Sequence, residues 1–281
     1  MSGSKLEQKE PTELQERPMN QLNSSTVARP ELPTTILQFG AGNFLRAFVD
    51  WMVTRSNEAG VTNDGIAIVQ STDRPIKAVE KLAAQDGLFH VYLEGIKDRQ
   101  PVKEVELVTS VQSVLSAHEQ FEEYDRLILS PQLRIVVSNT TEAGIEFVSG
   151  DDLSAQPPRS FPAKVTALLH RRYQHFDGDP AAGLSFLCCE LIEDNGSTLR
   201  EYVLRHAADN DLEDGFLQWV NASCQFYDTL VDRIVPGFPP GRDRSCAGRD
   251  RIPRRDGGQG RALLRMGHRG KPRYRRVIAA G

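Results

Sequence analysis

Three short runs constrain the fold more than any other feature of this chain: IAIVQ at 66–70, RIVVS at 134–138 and LSFLCC at 184–189. None alternates apolar with polar residues, as a strand with one wet face does. Uninterrupted apolar strands belong to parallel sheets covered on both faces, and parallel neighbours need crossover connections long enough to hold a helix. The chain between 34 and 236 supplies them. Candidate strands at Thr35–Phe39, Ile66–Ser71, Phe89–Glu94, Val105–Val111, Arg134–Ser138 and Leu184–Cys189 alternate with helix-like stretches, which predicts an α/β domain.

The helices read as follows. PAKVTALLHRRYQHF (162–176) places Val165, Leu168, Leu169, Tyr173 and Phe176 on one face, with Pro162 in the first turn. A second helix is expected after the turn-forming Asn195-Gly196, with Ser197 as N-cap of LREYVLRHAA, and a third through DGFLQWVNASCQFYDTLVDRI, 214–234. The flanks differ in kind. Residues 1–33 mix Glu, Lys, Gln, Pro and Ser with few apolar side chains and are expected to stay disordered. From Gly237 onward there are twelve Arg and one Lys against three Asp, a net of +10, whereas residues 1–236 hold 21 basic and 35 acidic residues, a net of -14. The expected organisation is therefore a disordered segment 1–33, a folded domain 34–236 and an Arg/Gly-rich disordered tail 237–281, whose abrupt change of composition is what out-of-frame translation of GC-rich codons tends to give.

At 281 residues and 39% hydrophobic content the chain can bury one large core or two modest ones. No stretch of roughly 18 apolar residues offers a membrane span, and no apolar signal-peptide core stands near the start. Cys188, Cys189, Cys224 and Cys246 form no CxxC pair, which fits buried thiols in a reduced, cytoplasmic setting.

The stretch carrying most chemistry is ILQFGAGNFLRAFVDW, 36–51. It runs a strand into Gly40, Ala41, Gly42 and Asn43 and then into a helix. One glycine permits the sharp turn, and a second lets the backbone approach a pyrophosphate whose charge meets the helix N-terminus. The third position of the dinucleotide fingerprint, usually small, is Leu45. A plain tight turn is the alternative. As a nucleotide cradle, the segment makes Leu37, Gln38, Phe39, Gly40, Ala41, Gly42, Asn43, Phe44, Leu45, Arg46, Ala47 and Phe48 the candidate cofactor-binding residues. Asp73, after the second strand, is placed to bind the adenosine ribose hydroxyls or is an ordinary loop residue. Asn139, Thr140, Thr141 and Glu142 follow RIVVS at the carboxyl edge of the sheet, where a nicotinamide would lie, with turn chemistry as the alternative.

Several of these stretches together resemble one family. Gly40, Gly42, Phe44 and Arg46 match the G-x-G-x-F-x-R pattern of the long-chain mannitol dehydrogenases, and Val231, Asp232, Arg233, Ile234 and Pro236 are similar to that family's V-D-R-I-x-P signature. VVSNTTEAGI and CELIEDNG look most like the tagaturonate reductase (altronate oxidoreductase) branch. The resemblance implies a Rossmann-type, mostly parallel sheet flanked by helices, NAD as cofactor, no metal, and hydride transfer between a ketohexuronate and a hexonate. It makes Asp232, with Arg233, a candidate for the substrate side, a structural link between Asp232 and Arg233 being the alternative; Glu190 and Asn195, at the end of LSFLCC, lie where the crevice should be and join the candidates, although helix capping accounts for Asn195 equally well. The family's general acid/base lysine belongs to a K-x-x-x-x-N-x-x-H pattern, and none of the six histidines here stands three residues after an asparagine. No catalytic residue is therefore assigned. Two other readings compete: an inactive NAD-binding relic, and nucleic-acid binding through the basic tail. The tail has only two aromatic residues, Phe238 and Tyr274, and no zinc spacing or helix-turn-helix pattern, so a small-molecule partner is expected, with no nucleic acid and no membrane.

Overall fold

A computed structural model describes residues 22–70, 72–74, 76–97, 100–140, 144–231, 233–236 and 276–280. Six strands form one parallel sheet: β1 (Thr34–Phe39), β2 (Gly65–Gln70), β5 (Val111–Ser116), β6 (Ile135–Ser138), β7 (Ser185–Cys188) and β8 (Gln225–Tyr227). Their order is β5-β2-β1-β6-β7-β8, every pair parallel. This is the doubly wound arrangement, in which the order reverses between β1 and β6 and opens a crevice at the carboxyl edge there.

Side chains alternate strictly between two cores. Leu37, Phe39, Ala67, Val69, Val136, Phe186 and Cys188 face a core built with α4 (Phe121–Ile128), α5 (Phe161–His175), α6 (Asn195–Asp209) and α7 (Asp214–Ser223). Ile36, Ile66, Ile68, Val137 and Cys189 face the other, built with a helix that follows β1 and with α3 (Lys77–Ala84). That helix has three parts: α1 (Asn43–Leu45), a π-helical segment Arg46–Asp50, and α2 (Trp51–Glu58). Between β2 and β5 the chain inserts an antiparallel pair, β3 (Phe89–Lys97) and β4 (Gln100–Val108), whose Phe89, Val91, Leu93 and Val108 join the second core.

Three expectations change. The strand expected over 105–111 is two: β4 ends at Val108, β5 begins at Val111, and the N–H groups of Thr109 and Ser110 donate to the Thr54 hydroxyl instead of to a strand. The helix expected through 234 stops at Ser223. Cys224 turns extended, Gln225 N donates to Leu184 O at 2.9 Å, and Phe226 stacks on Phe186 at 4.5 Å, so tertiary pairing overrides the helical spacing. Ser197 does not cap α6. The helix starts three residues earlier, at Asn195 behind Asp194, and Ser197 N and Oγ donate to the Asp228 carboxylate.

Of the two flanks, residues 22–33 lie against the domain, with Arg29 donating to the carbonyls of Asp86, Val111 and Gln112. Within the 237–281 tail, β9 (Arg276–Ala280) pairs antiparallel with β3, and the rest lies outside the described residues.

Candidate functional site: a cleft at the carboxyl edge of the sheet

A cleft of about 880 Å³ opens over the carboxyl ends of β1, β2 and β6, lined among others by Gly40, Ala41, Asp73, Asn139, Thr140 and Lys164. Its floor is the turn after β1. Gly40 sits at φ +119°, and a Cβ there would stand 3.1 Å from the Asn139 carbonyl oxygen, so both conformation and space require glycine. Gln38, buried under the turn, donates from Nε2 to the Gly40 carbonyl at 3.1 Å. Gly42 is extended, at φ −65° and ψ 162°, and nothing lies within 4 Å of where its Cβ would project. A phosphate can approach that backbone closely.

The remaining residues of the cradle divide by role. Leu37, Phe39, Leu45 and Ala47 are core side chains, so only their backbone can meet a ligand. Phe39 packs edge-on against Phe161 at 5.3 Å. Leu45 fills the place that the fingerprint leaves to a small residue, its Cδ1 reaching to 3.5 Å of the position a Gly40 Cβ would take. Phe44 and Phe48 pair at 5.3 Å. Arg46 is buried over the Phe89 ring and donates to Asn43 Oδ1 at 2.5 Å, which ties the first turn of the helix to itself.

Along the rim, Gln70 donates to the carbonyls of Thr72 and Arg74 and so shapes the turn that presents Asp73, an exposed residue lining the cleft. On the other side of the switch point Glu190, 1% exposed, accepts from Ser138 Oγ at 3.2 Å and from Thr140 N and Oγ1 at 3.0 Å, while Asn139 Nδ2 donates to the Cys189 carbonyl. Glu190 is thus the brace that holds Thr140 at the cleft, and the Cys189 carbonyl holds Asn139.

The substrate-side candidates do not gather here. Asn195 is fully buried, its Nδ2 donating to Glu190 O and Thr229 O and its Oδ1 accepting from Gly196 N and Thr229 N. It is a structural clasp between β7 and the segment after β8, with no atom left for a substrate. Arg233 donates to Ala47 O at 2.7 Å and lies over the Trp51 ring at 4.5 Å, which fastens that segment to the first helix. Asp232, Thr141 and Glu142 lie outside the described residues.

Two groups in the cleft carry no sequence signal for it. Lys164, 6% exposed in the first turns of α5, donates from Nζ to Arg159 O at 2.6 Å. Burial holds its ammonium below the usual lysine range, against the raising influence of Asp151 and Asp73. Burial pushes Asp151 up, but its hydrogen bonds from Ser160 N and Arg159 N outweigh that and leave the carboxyl below its ordinary value. The position of Asp151, nine residues before Ser160, follows from the shape of a loop that spacing does not reveal. Among the described residues no group of His, Cys, Asp and Glu is arranged to hold a metal, and no helix is long and apolar enough to cross a membrane. His206 is buried without a hydrogen-bond partner, its ring tilted against Phe147 at 4.6 Å.

Residues 34–252 match the mannitol dehydrogenase Rossmann domain. The chain belongs to the mannitol dehydrogenase family. The match passes Pro236, where the sequence alone sets the end of the domain, and enters the basic tail. Within the family, the chain is 44% identical over 209 residues to the altronate oxidoreductase of Bacillus subtilis (strain 168), covering 74% of this chain and 43% of that protein. It is 43% identical over 232 residues to the altronate oxidoreductase of Klebsiella pneumoniae (strain 342), covering 82% and 47%. The chain thus spans about half the length of these relatives. Pseudomonas fluorescens mannitol 2-dehydrogenase, solved as a ternary complex with NAD and D-mannitol, superposes with a TM-score of 0.62 at 26% identity over 73% of this chain and 42% of the other. A D-sorbitol dehydrogenase shares the fold, with a TM-score of 0.61 at 23% identity over 76% and 48%.

Proposed function

We propose that this chain is the dinucleotide-binding part of an NAD-dependent oxidoreductase that interconverts tagaturonate and altronate. The observation that carries the nucleotide reading is Gly40, held at φ +119° against the Asn139 carbonyl at the point where the strand order reverses, with open space at Gly42 beside it. The substrate reading is supported by the names of the relatives, each matched over less than half its length.

NAD, when bound, carries the hydride exchanged with the secondary carbon of the sugar acid. The chain's own residues do the rest of what this half requires. Backbone N–H groups from Ala41 to Phe44, at the N-terminus of the helix, would hold the pyrophosphate. Asp73, on the rim of the cleft, would accept from the ribose hydroxyls, and its charge would disfavour a 2′-phosphate at the same place. Asn139 and Thr140, braced by Glu190 and the Cys189 carbonyl, form the wall against the nicotinamide half. Burial raises the thiols of Cys189 and Cys224 to about 11, so they stay protonated and inert, in keeping with a cytoplasmic protein.

The test is a fluorescence titration with NADH. Gly42→Val adds a side chain where the protein itself has nothing, so it is expected to leave the melting temperature unchanged and to weaken NADH at least tenfold. Equal affinity in variant and wild type would show that the turn is no cradle.

A further inference from the structure

Beneath the glycine turn lies a group of polar side chains that the cofactor reading does not use. Gln38 and Asp50 are fully buried and Arg46 is nearly so. Four of their atoms, Gln38 Oε1, Arg46 Nε and both Asp50 carboxyl oxygens, are buried without a hydrogen-bond partner. A buried carboxylate left unpaired is costly. The Gln38 amide and the Arg46 guanidinium are the groups that act on Asp50.

Resting on the nucleotide-binding reading of the turn, we propose that Gln38 and Asp50 are positioning residues: protonated Asp50 donates to Gln38 Oε1, which orients the amide so that Nε2 holds the Gly40 carbonyl in the binding conformation. The donor count supports this. Gln38 has one oxygen and one NH₂, and its NH₂ is already committed to Gly40 O at 3.1 Å. Its oxygen therefore needs a donor, which a neutral carboxylic acid offers and a carboxylate does not. If Asp50 gives its proton to solvent, the amide is drawn to turn its NH₂ toward the carboxylate. Its oxygen then faces the Gly40 carbonyl, acceptor against acceptor, and the anchor of the turn is lost. Burial pushes the Asp50 carboxyl up to about 8, against the lowering influence of Arg46 and Gln38, so the neutral form is the one present at neutral pH.

The surroundings leave this coupling to a short cast. Arg46, one turn earlier on the same helix, is the charge that acts on Asp50. β1 contributes the neutral Gln38, and the connection between β4 and β5 contributes Ser110, whose hydroxyl donates to the Asp50 carbonyl at 2.8 Å. On β3, Phe89 underlies Arg46, and the alternation of the strand turns His90 to its opposite face. Glu106 of β4 is engaged by the Trp51 indole and Arg55, and Arg233 by the Ala47 carbonyl.

Two readouts test the proposal on the whole chain. In apo protein, the side-chain amide resonances of Gln38 are followed by NMR from about pH 6.5 to about pH 9.5, and NADH affinity is titrated over the same range. In wild type the resonances are expected to move with a single midpoint, and the dissociation constant to rise about fivefold, the size expected for one hydrogen bond. Asp50→Asn, whose amide donates at every pH, should flatten both curves at the wild-type low-pH value. Gln38→Met should flatten the affinity curve at the wild-type high-pH value, and it carries the test if Asp50→Asn does not fold. Gln38 resonances that stay fixed in wild type, or an Asp50→Asn protein that keeps the wild-type pH dependence, would overturn the proposal. NADH that binds at no pH while Gln38 titrates would sink the nucleotide reading and uphold the coupled amide.

Discussion

At the scale of single residues, the two glycines of the turn differ in what they do, and the difference can be measured. Gly40 is required by the protein itself: with φ at +119° and the Asn139 oxygen 3.1 Å from where a Cβ would stand, Gly40→Ala should cost roughly 1–3 kcal/mol and lower the melting temperature by several degrees. Gly42→Val, in contrast, should touch only the ligand. Differential scanning calorimetry of the two variants side by side checks this, and equal melting temperatures for Gly40→Ala and wild type would refute the strain. Sequence spacing can point to Gly40 and Gly42 because both lie in one short local motif. It cannot assign Asn195 or Arg233, whose partners Thr229 and Ala47 stand 34 and 186 residues away. Side chains that look placed for a substrate in the sequence are spent on clasping segments that only the fold brings together.

At the scale of elements, the uninterrupted apolar runs were enough to read the parallel core strands, since period and burial agree there. The reading fails where local spacing and tertiary pairing disagree. Between 214 and 234 the apolar residues fit a helix, yet β8 exists because the sheet edge at β7 takes the chain from Gln225 and the Phe226 ring stacks on Phe186. The start of α6 is fixed in the same way. A Cβ on Gly196 would meet the Tyr227 carbonyl oxygen at 2.5 Å, backbone against backbone, with no flexible side chain to yield. Gly196→Ala should therefore separate α6 from β8 at a cost of about 1–3 kcal/mol. Hydrogen exchange should rise at Gln225–Tyr227 while β1 and β2 stay protected. Unchanged exchange at β8 would show that α6 does not seat that strand.

At the scale of the molecule, the six strands of the parallel sheet among the described residues end at Tyr227, while the chain spans about half the length of its altronate oxidoreductase relatives. Leu191, Leu230 and Ile234 are exposed at 70%, 97% and 56% on the connections that follow β7 and β8, whereas Val231 packs against the second core. The division of charge at 237 was legible in composition, but not the pairing of β9 with β3, because that depends on a free strand edge elsewhere. With no K-x-x-x-x-N-x-x-H pattern in the chain, the purified 281-residue protein is expected to bind NADH without turning it over. The check is absorbance loss with tagaturonate beside a full-length relative, and turnover within about tenfold of that relative would make Lys164, with its lowered proton affinity at the cleft, the first residue to replace. The strand order has one more consequence, which concerns synthesis. β1 leaves the ribosome first and lies at the centre of the sheet, yet its partner β6 emerges only after β2, the β3–β4 pair, β5 and α4. Throughout that interval one side of this central strand, five of whose six residues are buried in the finished fold, is an open edge, the kind that pairs wrongly with other nascent chains. The cofactor cannot rescue such an intermediate, because Gly40 comes from the first strand and Asn139 from the fourth of the parallel six to appear, and the cleft they share does not exist until the danger has passed.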